Sequence, residues 1–332
     1  MVLARAGMEP VVMKEPVAGL ELRGCPEPVP EIARETQVDL ERWAGRYSSL
    51  DPTQFSGLVL TTAAHVPTWP RSTRLLAAMV SVWILTFDGM VDEGRIPEAE
   101  QASHVAAYKA VIRHGSPTSP LPDDDLSLAL RDIRERMDSY PSSAALLGHW
   151  LGSFDQMVDA IVWQRHAAPA LRGVTERFRT MLPSYDALME RALHSIGVPF
   201  YLATCFILHE DPTIEVRLQD LIEISLECAR AIRLANDLRT WEREEVEQTI
   251  NTVMVLRHEI LRENPEIGPA ESRNRAIQVL KERELASIAR THTLLACSPG
   301  SSSPVETGIG RLVTYVTGYY AFQDYRTFSP RG

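Results

Sequence analysis

Two runs of oxygen-bearing side chains have the spacing to place several metal-binding oxygens on one face of a helix. In the first, Asp88 and Asp92 follow the apolar run 75–87, and Glu93 comes directly after them. Residues four apart share a helix face, so these carboxylates repel each other unless a cation lies between them. Mg²⁺ prefers oxygen ligands of this kind. The alternative is an ordinary solvated helix end, although acidic side chains at a helix C-terminus oppose the macrodipole.

The second run contains Asn236, Thr240 and Glu244, at positions i, i+4 and i+8. On a helix these three residues present an amide oxygen, a hydroxyl and a carboxylate on one face, a set suited to Mg²⁺. Arg233 lies one turn earlier and could reach a phosphate oxygen bound to the same metal. The alternative is an exposed helix with i,i+4 charge pairs, which residues 242–245 resemble. Asn and Thr inside a long helix oppose propensity, which favours a functional role.

Helical periodicity extends over almost the whole chain from Glu31 onward, and no segment alternates with a period of two for long. Pro- and Gly-rich gaps separate the helical segments. The sequence therefore predicts an all-α protein, a single bundle of about ten helices that follows a flexible arm at residues 1–30. After a first segment near residue 40, helices are predicted at 53–66, 71–93, 95–113, 124–138, 142–167, 173–195, 197–209, 213–245, 246–264, 268–296 and 304–326.

Composition excludes several classes of function. The 332 residues carry a net charge of −10 and no basic run, so we expect no binding of nucleic acid. The four cysteines are widely separated and have no zinc-type spacing. The first residues show no secretory signal, and the apolar run 75–87 is too short to span a bilayer. We therefore expect a cytoplasmic protein without membrane insertion.

Residues 236–244 match the pattern (N/D)D(L/I/V)x(S/T)xxxE at every specified position, and the chain resembles the class I terpene synthases, in which this pattern is the second metal-binding motif. Their aspartate-rich first motif, usually DDxxD, corresponds to DGMVDE here, in which Gly89 replaces the second aspartate. Asp88 lies 148 residues before Asn236, a separation similar to that in bacterial members. The resemblance implies a class I terpenoid synthase domain around a central apolar cavity over residues 31–328, followed by a short tail at 329–332.

The resemblance also implies roles for residues between the two motifs. Arg191 lies 45 residues before Asn236, where the family has an arginine that contacts the substrate diphosphate. Pro199 predicts a helix break just before it. In similar enzymes the backbone carbonyls at this break face the cavity, which implies substrate contacts for Ser195, Ile196 and Gly197. The alternative is a surface arginine followed by an ordinary helix end.

Near the C-terminus the family often has an Arg-Tyr pair that closes over the diphosphate. Tyr325 and Arg326 stand there in the reverse order, and a frayed terminal helix is the alternative.

Aromatic rings can stabilise carbocations through their faces. Trp83 and Phe87, four residues apart beside the first motif, and Phe200 after the helix break are candidates for this role, with core packing as the alternative.

The implied reaction is loss of diphosphate from an isoprenyl diphosphate, followed by carbocation cyclisation and release of pyrophosphate. The resemblance implies a three-ion Mg²⁺ cluster held by the two motifs and, in some look-alikes, a homodimer. A C20 substrate is favoured, either geranylgeranyl diphosphate or a bicyclic C20 diphosphate, with farnesyl diphosphate as the alternative. The chain has no DxDD motif for cyclisation by protonation. A chain-elongating prenyl synthase would have a second aspartate-rich motif, so the remaining rival is a non-catalytic helical interaction protein.

Overall fold

The computed structural model describes residues 29–50, 52–115, 124–168 and 182–325. All regular secondary structure within these ranges is helical, which confirms the predicted all-α fold. The predicted arm at residues 1–30 lies outside the described residues except for its last two positions, which begin the first helix. The predicted tail at 329–332 also lies outside them.

The described residues form twelve α-helices and one short 3-10 turn at Pro52–Gln54. In chain order the α-helices are α1 (Val29–Ala44), α2 (Phe55–His65), α3 (Arg71–Asp92), α4 (Glu98–His114), α5 (Asp125–Met137), α6 (Ser143–Ala167), α7 (Tyr185–Ser195), α8 (Val198–Leu208), α9 (Ile214–Glu247), α10 (Thr252–Glu263), α11 (Pro269–Cys297) and α12 (Pro304–Phe322).

Most observed helix bounds lie within two or three residues of the predicted ones, and the largest difference follows the second motif. The helix predicted to start at residue 246 begins at Thr252, since α9 continues to Glu247 and ends where Gln248 adopts a left-handed φ of 59°. Asn251 then caps α10 by accepting a hydrogen bond from the Val253 amide. The helix predicted at 173–195 is described only from Tyr185 onward.

Helix α8 is the central element that separates the two motif-bearing helices. Residues 199–208 are all buried, and α8 packs against α3, α6 and α9. Its almost entirely apolar sequence suits this position, because a helix that is hydrophobic on all sides must be enclosed. As a result, α3 and α9 present their motifs to each other near the junction between α7 and α8.

Two stretches are long and apolar enough to span a membrane by length and composition, namely α3 (Arg71–Asp92) and the α7–α8 pair (Tyr185–Leu208). Most of each is buried inside the fold: 67% of the most apolar window in the first and 78% in the second. Core helices have the same character, because their apolar surface is covered by neighbouring helices. Their hydropathy therefore does not by itself argue for membrane insertion.

The junction between α7 and α8 requires glycine at position 197. Gly197 has a φ of 77°, in the left-handed region that is costly for residues with a side chain. A Cβ atom added there would lie 2.6 Å from Cγ2 of Ile84 on α3. The predicted helix break is therefore present, and it brings the backbone of the junction directly against the helix that carries the first motif.

Replacement of Gly197 by alanine is expected to lower the free energy of unfolding by about 2–5 kcal/mol, the sum of left-handed strain and overpacking. Urea denaturation measures this change. In an Ile84→Ala background the same substitution should cost about 1–3 kcal/mol less, since the clashing atoms are gone. The matched control is Gly152→Ala in α6, where an added Cβ meets nothing within 4 Å. If Gly197→Ala lowered the free energy of unfolding equally in both backgrounds, the Ile84 contact would be ruled out as a cause of the destabilisation.

Candidate active site

A cleft lies between the C-terminal half of α3 and the C-terminal half of α9, and both predicted motifs contribute to its walls. The α7–α8 junction also lines the cleft, through Ser195 and Ile196. Its polar lining consists mainly of carboxylate, amide and guanidinium groups, contributed by Asp88, Asp92, Gln164, Arg233, Asn236, Arg243 and Glu244.

On the α3 side, Asp88 and Asp92 both line the cleft, as their i, i+4 spacing predicts. Glu93 does not line it. Its side chain is 57% exposed and forms an ion pair with Arg95 at 2.9 Å. The expected contribution of Glu93 to metal binding therefore does not fit its position, because one residue beyond Asp92 the helix has turned by about 100° away from the cleft.

On the α9 side, Asn236 and Glu244 line the cleft, and Thr240 lies between them on the same helix face. Thr240 is buried, and its hydroxyl donates to the backbone carbonyl of Asn236 at 2.9 Å. A hydroxyl that donates its proton still offers its oxygen lone pairs to a cation. Tyr320 of α12 also lines the cleft, close to the Asn236 side chain.

Asn251 is a positioning residue that sequence reasoning missed. It is fully buried, and its Nδ2 donates to Glu244 Oε2 at 2.8 Å and to the carbonyl of Asp237 at 3.1 Å. Its Oδ1 caps α10 at the same time. One side chain thus fixes the last carboxylate of the second motif against the start of the next helix. The helix-cap pattern before Thr252 was the signal in the sequence, since Asn is a preferred N-cap residue.

Arg233 is buried at the base of the cleft, where the negative charges of three carboxylates attract its guanidinium. Burial alone would lower the pKa of its guanidinium, but the charges of Asp237, Glu244 and Asp88 outweigh burial and raise that pKa. Arg233 Nε lies 2.9 Å from Asp237 Oδ1. Burial raises the pKa of Asp237 to about 6, and Arg233 counteracts this shift, so the carboxylate is ionised at neutral pH. The guanidinium is therefore held in place with a permanent positive charge facing the cleft.

The segment that follows α12 is tied to the second motif helix by two arginines. Arg243 lines the cleft and pairs with Asp324 at 3.0 Å, and Arg239 donates to the carbonyl of Phe322 at 3.0 Å. Tyr325 lines the cleft, and its hydroxyl lies 2.6 Å from that of Thr61 on α2. Tyr325 is therefore at the cleft, whereas Arg326 lies outside the described residues, and closure of the pair over a diphosphate stays a prediction. Arg243 was missed because it stands in a run of alternating charges typical of an exposed helix.

An apolar compartment adjoins the polar cleft directly. The two share the side chains of Ile84, Leu85, Ile196, Tyr320 and Tyr325. The rest of the compartment is mainly aliphatic and includes the predicted Gly197, with the side chains of Leu58, Val198, Ile232, Leu312 and Val316. A polar, acidic entrance thus leads into a space in which water has few hydrogen-bonding partners.

The three predicted aromatic contacts are not at this compartment. Trp83 and Phe87 are buried on a different face of α3, stacked on each other at 5.5 Å between ring centroids, and Phe200 packs against Phe154 at 5.2 Å. Adjacent helix positions lie about 100° apart, so Phe87 beside Asp88 in sequence faces the core instead of the cleft. Their predicted contact with substrate is therefore corrected to core packing. The cleft-facing residues of α3 are Ile84, Leu85, Asp88 and Asp92.

Arg191 is exposed on α7, one turn before Ser195, and does not line the cleft in this structure. Its guanidinium lies 5.4 Å from the ring centroid of Trp163, the residue beside the cleft-lining Gln164. A contact with a diphosphate would need a different rotamer of this long side chain. Its role stays a prediction.

Residues 79–282 match the model of terpene synthase family 2, C-terminal metal binding, which covers more than half of the chain and both motifs. The chain belongs to this terpene synthase family. It is therefore an enzyme, a class I terpene synthase, which confirms the predicted family and excludes the non-catalytic alternative. No curated protein is significantly similar to it in sequence.

Three solved structures share the fold of this terpene synthase at low sequence identity. The linalool/nerolidol synthase from Streptomyces clavuligerus, in complex with 2-fluorogeranyl diphosphate, is 17% identical with a TM-score of 0.64 over 90% of this chain and 97% of that one. Hedycaryol synthase in complex with nerolidol is 13% identical, with a TM-score of 0.62 over 88% and 94%. The SVS_A2 protein, from ancestral sequence reconstruction, is 14% identical, with a TM-score of 0.66 over 87% and 85%.

The donor set of this terpene synthase fits a hard divalent cation. Carboxylates from α3 face the amide of Asn236 and the carboxylate of Glu244 across the cleft, and oxygen ligands of this type suit Mg²⁺. The hydroxyl of Thr240 is buried one turn from each of them and is not among the groups that line the cleft. Within the described ranges, no group of three or more His, Cys, Asp or Glu side chains is arranged to hold a metal. A site built here would accordingly depend on Asn236 and Thr240, and on phosphate oxygens or water for its remaining ligands.

Substitution of Asn251 by aspartate is expected to raise the Mg²⁺ concentration needed for half-maximal activity about 10- to 100-fold, the usual cost of losing a residue that orients a metal ligand. The change keeps the oxygen that caps α10 but replaces the donor to Glu244 with a repelling carboxylate. Activity titrated with Mg²⁺ measures the shift. Asn264→Asp, at the other end of α10, is the control. An unchanged Mg²⁺ requirement in Asn251→Asp would show that Asn251 does not position Glu244.

Proposed function

We propose that this terpene synthase ionises an isoprenyl diphosphate with the help of Mg²⁺, cyclises the resulting carbocation and releases pyrophosphate. The observation that carries the proposal is the direct junction between the acidic cleft and the apolar compartment, which share five lining residues. This arrangement suits a substrate with a charged head and a long hydrocarbon tail. It also suits a reaction in which the charged group leaves and a reactive cation stays behind.

In the proposed complex, some residues of the cleft bind the metal ions and others bind the diphosphate head group directly. Asp88, Asn236, Thr240 and Glu244 would hold the metal ions, a cluster of three by family resemblance, with Asp92 beside Asp88. Bound Mg²⁺ would neutralise the charge that develops on the departing diphosphate. Arg233 and Arg243 already line the cleft as fixed positive charges, so they can donate to diphosphate oxygens without large rearrangement. Arg191 and Arg326 would add to them on closure.

The compartment would hold the tail and exclude water. Its lining is mainly aliphatic, with the hydroxyls of Thr61, Ser81 and three tyrosines among it, and the Tyr325 ring lies where the compartment meets the cleft. The pairs Arg243–Asp324 and Arg239–Phe322 hold the segment before Tyr325 against α9. Exclusion of water protects the cation from premature capture.

The substrate is proposed to be a C20 diphosphate, either geranylgeranyl diphosphate or a bicyclic C20 diphosphate. Farnesyl diphosphate is the alternative, and the nerolidol bound to hedycaryol synthase and the nerolidol in the name of the Streptomyces clavuligerus enzyme favour it, since nerolidol is a C15 alcohol. A cytoplasmic location without membrane insertion, and a homodimer, belong to the same proposal.

Incubation of the purified protein with C10, C15 and C20 prenyl diphosphates tests the proposal, with products identified by gas chromatography–mass spectrometry and pyrophosphate measured in parallel. We expect one chain length to give a terpene together with pyrophosphate when Mg²⁺ is present, and no product when EDTA is added. A bicyclic C20 diphosphate belongs in the same panel. Absence of turnover with every substrate would contradict the proposed reaction.

A further inference from the structure

A buried tyrosine–histidine pair lies against the apolar compartment and has no part in binding the diphosphate. Tyr201 of α8 lines the compartment, and its hydroxyl lies 2.9 Å from Nδ1 of His65, the last residue of α2. His65 is 1% exposed and Tyr201 is 6% exposed. On its other side the imidazole is closed in by α12, where a Cβ atom added to Gly308 would lie 3.0 Å from His65 Nε2.

Three tyrosines line the compartment, and their hydroxyl partners differ in chemistry. The Tyr320 hydroxyl lies close to the amide of Asn236, and that of Tyr325 hydrogen-bonds to the hydroxyl of Thr61. Neither partner is a base. Among the described residues that line the compartment, Tyr201 is the one whose hydroxyl contacts an imidazole, a group that can take up a proton.

Building on the proposed terpene synthesis, we propose that Tyr201 accepts the proton that ends the carbocation reaction, with His65 as its relay. A C–H bond next to the cationic carbon breaks, and its electron pair forms the new C=C bond. The proton passes to the Tyr201 oxygen as the phenolic proton of Tyr201 passes to His65 Nδ1. The positive charge thus moves from the hydrocarbon to the imidazole, and a neutral olefin remains.

The protonation states of the pair suit this role. Burial lowers the pKa of His65 to about 3, with smaller contributions from His209 and Arg311, so its ring is neutral before the reaction. Burial also raises the pKa of Tyr201 well above its usual value, so the phenol retains its proton. A C–H bond beside a carbocation is far more acidic than an imidazolium, so proton transfer to even this weakened base is favourable. The relay requires the phenol to donate to Nδ1, and therefore the tautomer of His65 that carries its ring proton on Nε2.

The test compares wild type with Tyr201→Phe and His65→Asn, using the prenyl diphosphate that wild type consumes. Asparagine can retain a hydrogen bond to Tyr201 but cannot take up its proton. Tyr315→Phe is the matched control, because Tyr315 is buried on α12 but does not line the compartment. Pyrophosphate release and the product mixture are measured in H₂O and in D₂O. Thermal melting establishes whether each variant is folded. If His65→Asn does not fold, Tyr201→Phe by itself still tests the proposal.

In both variants we expect the main olefin to fall about 100-fold relative to other products, the usual loss when a general base is removed. Continued release of pyrophosphate shows that ionisation still takes place in them. D₂O should lower the olefin share in wild type and have no effect on product ratios in the variants. An unchanged mixture, a wild type that forms only alcohols, or a D₂O effect that persists in Tyr201→Phe would each overturn the relay. Absence of pyrophosphate release from wild type would instead refute the proposed synthase reaction, and the relay with it.

Discussion

Replacement of Asp88 by asparagine is expected to reduce kcat for prenyl diphosphate turnover by at least about 100-fold, the scale of losing one preorganised electrostatic contact to the transition state. Asp88 is the carboxylate of α3 that faces Glu244 and Arg233 across the cleft. The neutral amide keeps the shape of the side chain and loses the charge that attracts a cation. Steady-state kinetics at saturating Mg²⁺ measure the effect.

Glu93→Gln is the matched control for Asp88→Asn, because Glu93 belongs to the same sequence motif but pairs with Arg95 outside the cleft. We expect its turnover to equal that of wild type, and Asp92→Asn to lose activity because Asp92 lines the cleft. If Asp88→Asn were folded and fully active, the first motif could not be the metal-binding wall proposed here. If Glu93→Gln were the inactive variant, the side-chain directions at the end of α3 would be wrong.

Replacement of Glu244 by glutamine is expected to have a comparably large effect, a loss of about 100-fold in kcat and a higher Mg²⁺ requirement. Glu244 is the carboxylate of the second motif, and Asn251 holds one of its oxygens at 2.8 Å. Glutamine removes the charge and presents an NH₂ group either to the metal or to the Asn251 donor. The measurement is activity as a function of Mg²⁺ concentration.

Glu242 offers a close control for Glu244, since it lies two residues earlier on the same helix and is exposed outside the cleft. Glu242→Gln makes the same chemical change at a position that faces solvent, so we expect no loss of activity. Equal activity in the two variants would show that the charge at position 244 is not required. Equal loss in both would point to a general effect of net charge on α9.

The two motifs could be located from sequence because each depends only on local helical spacing. Residues four or eight positions apart share a helix face, and this does not depend on the rest of the fold. The rule applies to Asp88 with Asp92 and to Asn236 with Glu244. Both pairs line the cleft. Pro199 likewise predicted the break between α7 and α8, because backbone restriction is a property of the residue itself.

Contacts between distant segments could not be predicted in this way. The direction of Trp83 and Phe87 depends on which face of α3 meets α4 and α6, and their apolar character is equally compatible with a cavity wall. Asn251 acquires its role only because the turn after α9 returns it to Glu244. The pair His65–Tyr201 joins residues 136 positions apart, and neither stands in a recognisable motif.

A crystal structure with Mn²⁺ and pyrophosphate tests most directly whether α3 and α9 together bind divalent ions. We expect anomalous peaks in the cleft, at about 2.1 Å from the carboxylate of Asp88 on one side and from Asn236, Thr240 and Glu244 on the other, the distance at which small divalent cations bind oxygen. Pyrophosphate should bridge these peaks and contact Arg233 and Arg243. Peaks confined to one helix, or none in this cleft in crystals of an active preparation, would contradict a metal site shared by the two motifs.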